Sequence, residues 1–325
     1  MEVEPANLQV LCRIITCGVC HTDAHLAKGE FGKASHILGH EGVGVVEKVG
    51  PLVSKSLVGK RVGLPWAYSN CGSCDLCVDG RENLCSSQLN RGLQESGAFA
   101  PYALADSRYI IPIPSSLSSS QASPLICAGL TVWRALREVQ ASPGISPGSS
   151  IGVIGCGGGL GTLASRIAIA QNYQVLGFDC EGKRKYVENS LHIPFFPPDS
   201  TPSQVSGASN GGLHAALLIA PNIASMELGI ACLRPGGTAV VIGLPQGKLS
   251  LDVLDFVLKG KRLLGSLVGT RADAASCLRF CASHNISIQV SEYTPKDLGE
   301  CIERVGQGGV EGRQVIRWAP EPILT

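Results

Sequence analysis

The spacing of hydrophobic residues changes about a third of the way along the chain. Before that point, short β-branched runs between turn-forming residues predict strands at Leu8–Thr16, Gly42–Val49 and Lys60–Leu64. The Pro- and Ser-rich segment Ile111–Pro124 predicts a connecting loop, and Leu125–Val139 has helical spacing. This part of the chain therefore predicts a mostly-β domain of short strands.

From Ser150 onward, apolar strand-like segments alternate with helical ones. Strands are predicted at Ser150–Ile154, Gln174–Phe178, Ala215–Ile219, Thr238–Ile242 and Leu263–Leu267, and helices at Leu160–Gln171, Ala224–Leu233 and Leu251–Leu258. This alternation is typical of a parallel, doubly wound sheet. Phe195–Gly212 is rich in Pro, Ser and Gly and predicts a surface loop with little order. After Gly269 the pattern predicts one helix near Ala272–Ser283, short strands and a polar tail.

Length and charge limit the classes of protein to which the chain can belong. Its 325 residues are enough for two domains. Lys plus Arg number 27 against 26 for Asp plus Glu, so no basic field attracts nucleic acid or a membrane surface. No apolar run approaches the ~18 residues of a spanning helix. The residues before Cys20 are typical of neither a signal nor a transit peptide, and fourteen cysteines fit a reducing compartment, so we expect a cytoplasmic protein.

Four cysteines with close spacing form the strongest local motif. Cys71, Cys74, Cys77 and Cys85 give the pattern C-x2-C-x2-C-x7-C. Four thiolates at such spacing can surround one zinc ion tetrahedrally and leave no position open for a substrate. A disulfide cluster is the alternative, but the other ten cysteines show no framework spacing. The motif predicts a structural zinc lobe, which leaves the chemistry to other residues.

A glycine-rich turn follows the first strand of the βαβ region. Ile151–Gly161 reads IGVIGCGGGLG, a strand followed by glycines and a helix. Glycines let the backbone approach a pyrophosphate, and the helix N-terminus supplies free N–H donors. The spacing is G-x-G-x-x-x-G, one residue longer than the standard fingerprint. The predicted cofactor contacts are Gly155, Gly157, Gly158, Gly159, Leu160 and Gly161.

An acidic residue at the end of the next strand bears on the choice of nicotinamide cofactor. Asp179 lies 24 residues after Gly155, where a carboxylate accepts hydrogen bonds from the adenosine ribose. A carboxylate there repels a 2′-phosphate, so NAD(H) is predicted over NADP(H). Lys183 or Arg184 could soften this preference, and an ordinary strand-end turn is the alternative for Asp179.

Three further residues have the chemistry of zinc ligands. Cys20 lies in GVCHTDAH, His40 in GHEG and Cys127 in LICAG. A catalytic zinc takes three protein ligands and keeps one position open. By residue type alone Cys127 would be a core residue, and spacing alone does not connect the three.

The order of these motifs resembles that of the zinc-dependent medium-chain alcohol dehydrogenases. GVCHTDAH, GHEG, the four-cysteine lobe, LICAG and the glycine-rich turn occur in that order. The lobe spacing, LICAG and Gly265–Asp273 (GSLVGTRAD) are most similar to the yeast and bacterial ethanol dehydrogenase branch. The resemblance covers nearly the whole chain from about Leu8, and five linked motifs make it specific.

The resemblance implies an α/β architecture with two domains. A GroES-like, mostly-β catalytic domain with the zinc lobe would cover residues 1–128 and 268–325, and a Rossmann domain with a doubly wound parallel sheet would cover residues 129–267. It also implies two zinc ions per chain, NAD(H), a small alcohol or carbonyl substrate, and a homodimer or homotetramer.

The resemblance also implies individual roles. Cys20, His40 and Cys127 would bind the catalytic zinc, and Asp23 would orient His40. Glu41 matches the acid behind the metal, while Thr22 and His25 match a proton relay to solvent. The remaining matches are cofactor contacts at His21, Lys183, Leu244, Val268 and Arg313, and pocket positions at Phe31 and Trp66.

The implied reaction is hydride transfer between a nicotinamide and an alcohol or carbonyl group. Zinc would lower the pKa of the alcohol while Thr22 and His25 pass its proton outward. Without the family, Thr22 and His25 would be interpreted as solvated loop residues. Two alternatives stay open: the same scaffold acting on a bulkier biosynthetic intermediate, and a non-catalytic, zinc-stabilised binding protein.

The sequence departs from the family pattern at two places. The family usually has about two further strands before the segment matching Leu8–Thr16, and only seven residues precede it here, through truncation or through loss of an edge hairpin. Gly29–Gly39 is shorter than its family counterpart, with Phe31 where a tryptophan often stands. A rearranged Phe31 segment would admit a substrate bulkier than ethanol.

Overall fold

The protein is described by a computed structural model covering residues 4–308 and 310–322. The chain folds into two compact units, Met1–Leu130 with Gly269–Thr325, and Thr131–Val268. Among the described residues, no helix is long and apolar enough to cross a membrane.

The chain forms fifteen strands and eleven α-helices in the described residues. The strands are β1 (Gln9–Val19), β2 (Gly42–Val49), β3 (Arg61–Leu64), β4 (Ala67–Ser69), β5 (Leu89–Asn90), β6 (Tyr102–Asp106), β7 (Ile111–Pro112), β8 (Ser150–Ile154), β9 (Gln174–Phe178), β10 (Phe195–Phe196), β11 (Leu213–Leu218), β12 (Leu233–Val241), β13 (Arg262–Gly265), β14 (Val290–Tyr293) and β15 (Arg313–Arg317). The helices are α1 (His21–Ala27), α2 (Asp75–Val78), α3 (Ser119–Pro124), α4 (Leu130–Gln140), α5 (Gly159–Ala170), α6 (Arg184–Tyr186), α7 (Pro202–Ala208), α8 (Ile223–Ala231), α9 (Val253–Leu258), α10 (Arg271–Ser283) and α11 (Leu298–Gln307).

The first unit is built around the long strand β1. Its sheet has the order β14-β15-β1-β2-β3-β7, and β6 also pairs with β1. Val10, Cys12 and Ile14 point into the core at period two. A bulge between Ile14 and Thr16 then shifts the register, so that Cys17 and Val19 continue the same buried face. This keeps the strand end, directly before Cys20, packed against the core.

The second unit is a six-stranded parallel sheet with the order β10-β9-β8-β11-β12-β13. Numbered from the first strand of the unit, this is the 3-2-1-4-5-6 order of the doubly wound fold. All five residues of β8 are buried, as expected for a strand covered on both faces. The predicted Rossmann fold is therefore confirmed, and the first unit is mostly β as predicted.

Three segments differ from the sequence prediction. Phe195–Gly212 is not a loop of little order, because it contains β10 and α7. Thr201 and Gln204 form a capping box that fixes the start of α7. Ile111–Pro124 contains β7 and α3, and the supposed polar tail contributes α11 and β15, a strand that pairs with β1.

Candidate functional site

The end of β1 and the start of α1 position the first candidate ligand. Cys20 is the N-cap of α1, and its backbone N–H donates to Asp23 Oδ2 over 2.9 Å. Thr22 and His25 lie on this helix and are partly exposed, so the prediction of loop residues made without the family was wrong. The helix turns the segment so that the Cys20 thiol is buried while His25 reaches the surface.

His40 reaches the same place from the loop before β2. Its Nδ1 lies 3.1 Å from Asp23 Oδ1, which also accepts the Gly39 N–H over 3.2 Å. A carboxylate acceptor at Nδ1 leaves Nε2 as the free ring nitrogen. Nε2 is buried and makes no hydrogen bond with any described residue. A buried ring nitrogen without a partner is unfavourable unless a ligand such as a metal ion takes it.

Cys127 completes this group from a distant part of the sequence. It lies in the π-helical turn Leu125–Gly129, directly after α3, and its Sγ is 4.0 Å from Cys20 Sγ. Ligand atoms of Cys20, His40, Glu41 and Cys127 all lie within 4.8 Å of one another, and all four residues are buried. The Cys127 thiol lowers the pKa of Cys20 well below its ordinary value. The group thus has the thiolate and imidazole donors that zinc prefers.

Glu41 is the fourth residue of this group, and it forms an ion pair. Burial raises the pKa of Glu41 to about 7, although the Arg313 guanidinium acts in the opposite direction. Arg313 Nη2 donates to Glu41 Oε1, while Oε2 has no partner among the described residues. A Cβ atom on Gly18 would lie 2.0 Å from Oε2, so only glycine leaves room for this carboxylate. The sequence prediction missed Gly18, although it opens the GVCHTDAH motif.

The four lobe cysteines form a separate group at the surface of the same unit. Their sulfurs lie within 4.8 Å of one another, with separations of 3.6 Å for Cys85–Cys71 and 3.9 Å for Cys71–Cys77 and for Cys74–Cys85. Four sulfurs at about 2.3 Å from one zinc would lie about 3.8 Å apart in a tetrahedron. The spacing therefore fits a closed, four-thiolate zinc site.

The predicted cofactor residues of the second unit gather at the carboxyl end of β8. Gly155 has φ 96°, a left-handed conformation, and begins the turn into α5. Asp179 Oδ2 accepts the Gly157 N–H over 2.8 Å, which ties the strand-end acid to the turn. Gly158 is the N-cap of α5, and Gly159, Leu160 and Gly161 form its first turn. The turn leaves free N–H donors at a helix N-terminus, which suit a phosphate group.

Two of the other predicted site residues, Trp66 and Lys183, contact the groups described above, and the rest do so less directly or lie at the surface. Trp66 faces the His40 ring edge-on, with 5.2 Å between ring centroids. Phe31 is exposed and packs on His25, 5.4 Å between centroids. Leu244 is two-thirds exposed, and Val268 has φ 43°, an uncommon conformation for a β-branched residue. The remaining positions are His21, which packs on His25, and Lys183, whose stem lies against Gly157.

Comparison with known proteins agrees with this arrangement. The family model for the alcohol dehydrogenase GroES-like domain matches residues 6–115, and the model for zinc-binding dehydrogenases matches residues 159–283. An alcohol dehydrogenase of Geobacillus stearothermophilus is 37% identical over 324 residues, which cover 97% of this chain and 95% of that protein.

Solved structures give the same result. The cinnamyl alcohol dehydrogenase of Sorghum bicolor superposes with a TM-score of 0.87 at 28% identity, covering 100% of this chain and 94% of that one. The acetophenone reductase of Geotrichum candidum, solved in complex with NAD, has a TM-score of 0.82 at 28% identity, covering 97% and 91%. The resemblance predicted from the motifs is confirmed: this chain belongs to the zinc-dependent medium-chain alcohol dehydrogenase family.

Proposed function

We propose that the protein is a zinc-dependent oxidoreductase that transfers a hydride between NAD(H) and an alcohol, aldehyde or ketone. This proposal rests on one observation: the ligand atoms of Cys20, His40 and Cys127 are buried and lie within 4.8 Å of one another. His40 Nε2 has no hydrogen-bond partner among the described residues. Two thiolates and an imidazole are a catalytic zinc ligand set. A binding protein without catalytic function would not need this set.

We assign the catalytic zinc to Cys20, His40 and Cys127, and a structural zinc to the four lobe cysteines. When bound, the catalytic zinc supplies Lewis acidity that favours the deprotonated alcohol or polarises the carbonyl group. Asp23 holds His40 in the tautomer that leaves Nε2 available. Thr22 and His25, on the exposed side of α1, carry the proton between the reacting hydroxyl and solvent.

The glycine turn and Asp179 form the proposed NAD(H) site. The N–H groups at the start of α5 would bind the pyrophosphate. One oxygen of Asp179 accepts the Gly157 N–H, and the second accepts the Cys180 N–H over 2.8 Å, so the carboxylate is fixed at the strand end. A fixed negative charge there disfavours a 2′-phosphate, which supports NAD(H) over NADP(H).

The test is the change in nicotinamide absorbance with NADH or NADPH and a graded series of aldehydes and ketones, with and without a chelator. Chelator-sensitive turnover with NADH is the expected result. Cys127→Ala should abolish turnover and still yield a folded protein that binds NADH. The control is Cys12→Ala, which removes a buried thiol outside both cysteine groups and should stay active. An active Cys127→Ala variant would refute the zinc assignment.

The size of the substrate depends on the Phe31 segment. Phe31 is exposed and its ring packs on His25, whereas the ring that packs on His40 is that of Trp66. We therefore infer activity on alcohols or carbonyl compounds larger than ethanol. Turnover restricted to two- or three-carbon compounds in the same series would contradict this inference.

We propose that two copies associate through the second unit. Strand β13 is at the edge of its sheet, and α9 presents Val253, Leu254, Val257 and Leu258, each at least two-thirds exposed. A second copy has the same edge and the same apolar row, so a two-fold axis would bury like against like. Val257→Asp should shift the sedimentation coefficient to that of a monomer. Leu52→Asp, at an equally exposed leucine of the other unit, should not.

We also propose a cytoplasmic location. All fourteen cysteines are free of disulfides, as expected in a reducing compartment. Fractionation of cells followed by immunodetection would test it, and recovery with the membrane or secreted fraction would contradict it.

A further inference from the structure

His25, the outer residue of the proposed relay, has a carboxylate partner that the sequence prediction did not identify. His25 Nδ1 lies 2.5 Å from Glu30 Oε2. The two side chains are 24% and 35% exposed, so the pair stands at the boundary between α1 and solvent. The rings of His21 and Phe31 pack on the imidazole at 4.8 and 5.4 Å between centroids. The imidazole is thus held between two rings and one carboxylate.

The backbone brings Glu30 back to this histidine. The N–H of Glu30 donates to the carbonyl of His25 over 3.0 Å. Gly29, directly before it, has φ 72°, a left-handed conformation that a glycine adopts without strain. The turn after α1 therefore fixes the carboxylate against the ring of the residue five positions earlier.

The carboxylate of Glu30 selects one tautomer of the neutral His25 ring. An ionised carboxylate only accepts hydrogen bonds, so Nδ1 of a neutral His25 must carry the proton and donate it to Glu30. Nε2 is then left with its lone pair, which is the form of the ring nitrogen that can accept a proton. This is the arrangement of a base oriented by an acid that holds its other nitrogen.

We propose that Glu30 is a positioning residue for His25 and the outer acceptor of its proton. The role rests on the proposed function, in which His25 carries the proton of the reacting alcohol. A proton arriving at Nε2 forms a new N–H bond, the Nδ1–H bond breaks, and the proton passes to Glu30 Oε2. The resulting carboxylic acid releases it to water, which restores the carboxylate. In the reducing direction the same steps run in reverse.

The test compares Glu30→Gln and Glu30→Asp with the wild-type holoenzyme. Pre-steady-state alcohol oxidation would be followed by nicotinamide absorbance, and proton release by a pH indicator. Glu30→Gln should slow both by about tenfold, by comparison with the low end of the loss that follows removal of the partner of a metal-binding histidine. KM and zinc content should stay unchanged, and added formate should restore part of the rate. The two rates of Glu30→Asp should lie between those of the wild type and those of Glu30→Gln.

A spectroscopic measurement separates positioning from stability. In protein labelled with ¹⁵N at histidine, His25 should show a protonated Nδ1 in the wild type and a mixture of tautomers in Glu30→Gln. The matched control is Glu47→Gln, which removes an ion pair of similar exposure with Arg13. Exposed pairs of this kind contribute little to stability, so both variants should fold and the control should keep wild-type kinetics.

His25→Gln distinguishes the possible failures. If His25→Gln is slow but Glu30→Gln is as fast as the wild type with an unchanged tautomer, Glu30 has no such role. If His25→Gln is also as fast as the wild type, the proposed relay is wrong and the role of Glu30 falls with it. If the wild type shows no nicotinamide-linked turnover, the proposed function itself is refuted, and this role is refuted as a consequence.

Discussion

Gly161 tests whether the cofactor turn depends on the close approach of α5 to the end of β8. A Cβ built on Gly161 lies 2.0 Å from the carbonyl oxygen of Gly155 and 2.6 Å from Cys156 Cα. Ordinary contact begins at 3.4 Å, so Gly161→Ala would have to move the helix and the turn apart by about 1.4 Å if neither could deform otherwise. Both obstructing atoms belong to the backbone, which cannot rotate away.

Two opposing effects determine the stability of this variant. Alanine is favoured over glycine in a helix by about 1 kcal/mol. Forcing an extra methyl group into a packed region costs about 1–3 kcal/mol. Because the contact is far inside the normal limit, the steric cost should be at the upper end, giving a net loss of about 2 kcal/mol. The displaced turn should also weaken NADH binding by at least about tenfold.

The assay is urea denaturation together with NADH fluorescence titration, with two glycines of the same unit as controls. Gly207, inside α7, has open space around its built Cβ, so Gly207→Ala should gain up to about 1 kcal/mol. Gly182, an exposed residue of the same unit, also has open space around its built Cβ and should keep its stability as alanine. If Gly161→Ala were as stable as Gly207→Ala and bound NADH normally, the steric reasoning would be refuted.

Three other predictions concern the first unit. Cys77→Ser should leave the purified protein with one zinc fewer per chain by elemental analysis and a lower Tm; unchanged metal content would exclude the lobe as a zinc site. Arg313→Met should cost about 3–5 kcal/mol in urea denaturation because it leaves the buried Glu41 unpaired, and adding Glu41→Gln should recover most of the loss. The Arg317 guanidinium lowers the pKa of Glu292, so this pair stabilises the fold above pH 4.5 and loses its effect as the pH falls below it. In a series of Tm measurements against pH, Glu292→Gln should therefore show a smaller decrease in Tm below pH 4.5 than the wild type.

The sequence predicted the parts of the fold that rest on periodic apolar burial. Five of the six strands of the parallel sheet were predicted because each contains a short apolar run, as β8 illustrates, whereas the two-residue strand β10 was missed. Helices with little apolar surface were missed. In α7 only Val205 is buried, and the available signal was the capping residue Thr201 followed by proline and, at the third position, Gln204. Helix α3 is six residues long and buries three serines along with Ala122 and Pro124, so its buried face gives no periodic hydrophobic pattern.

From spacing alone, the candidate site residues could be predicted only where they are close together in the sequence. The four lobe cysteines lie within fifteen positions, so their spacing alone indicated a zinc site. Cys127 lies 107 residues from Cys20 and follows a helix of small polar residues, so its proximity depends on the packing of α3 against β1. The order of the motifs supplied the connection between Cys20 and Cys127. Glu30 belongs to no motif, and its contact with His25 was found only from the structure of the turn at Gly29.

The Cys20 group is buried, whereas the lobe cysteines lie nearer the surface. The net charge that each group would have with a bound zinc ion is consistent with this difference. Zinc with four thiolates carries a net charge of −2, which needs water or nearby donors, and Cys71 is exposed. Zinc with the thiolates of Cys20 and Cys127 and a neutral His40 carries no net charge, so it can be buried at low cost. Glu41 would make that buried site negative, but Arg313 neutralises it. A zinc ion held by three protein ligands would keep one position for a substrate and supply Lewis acidity there, whereas four thiolates would leave no such position. Ligand number and burial together therefore support the proposal that the Cys20 group is catalytic and that the lobe is structural.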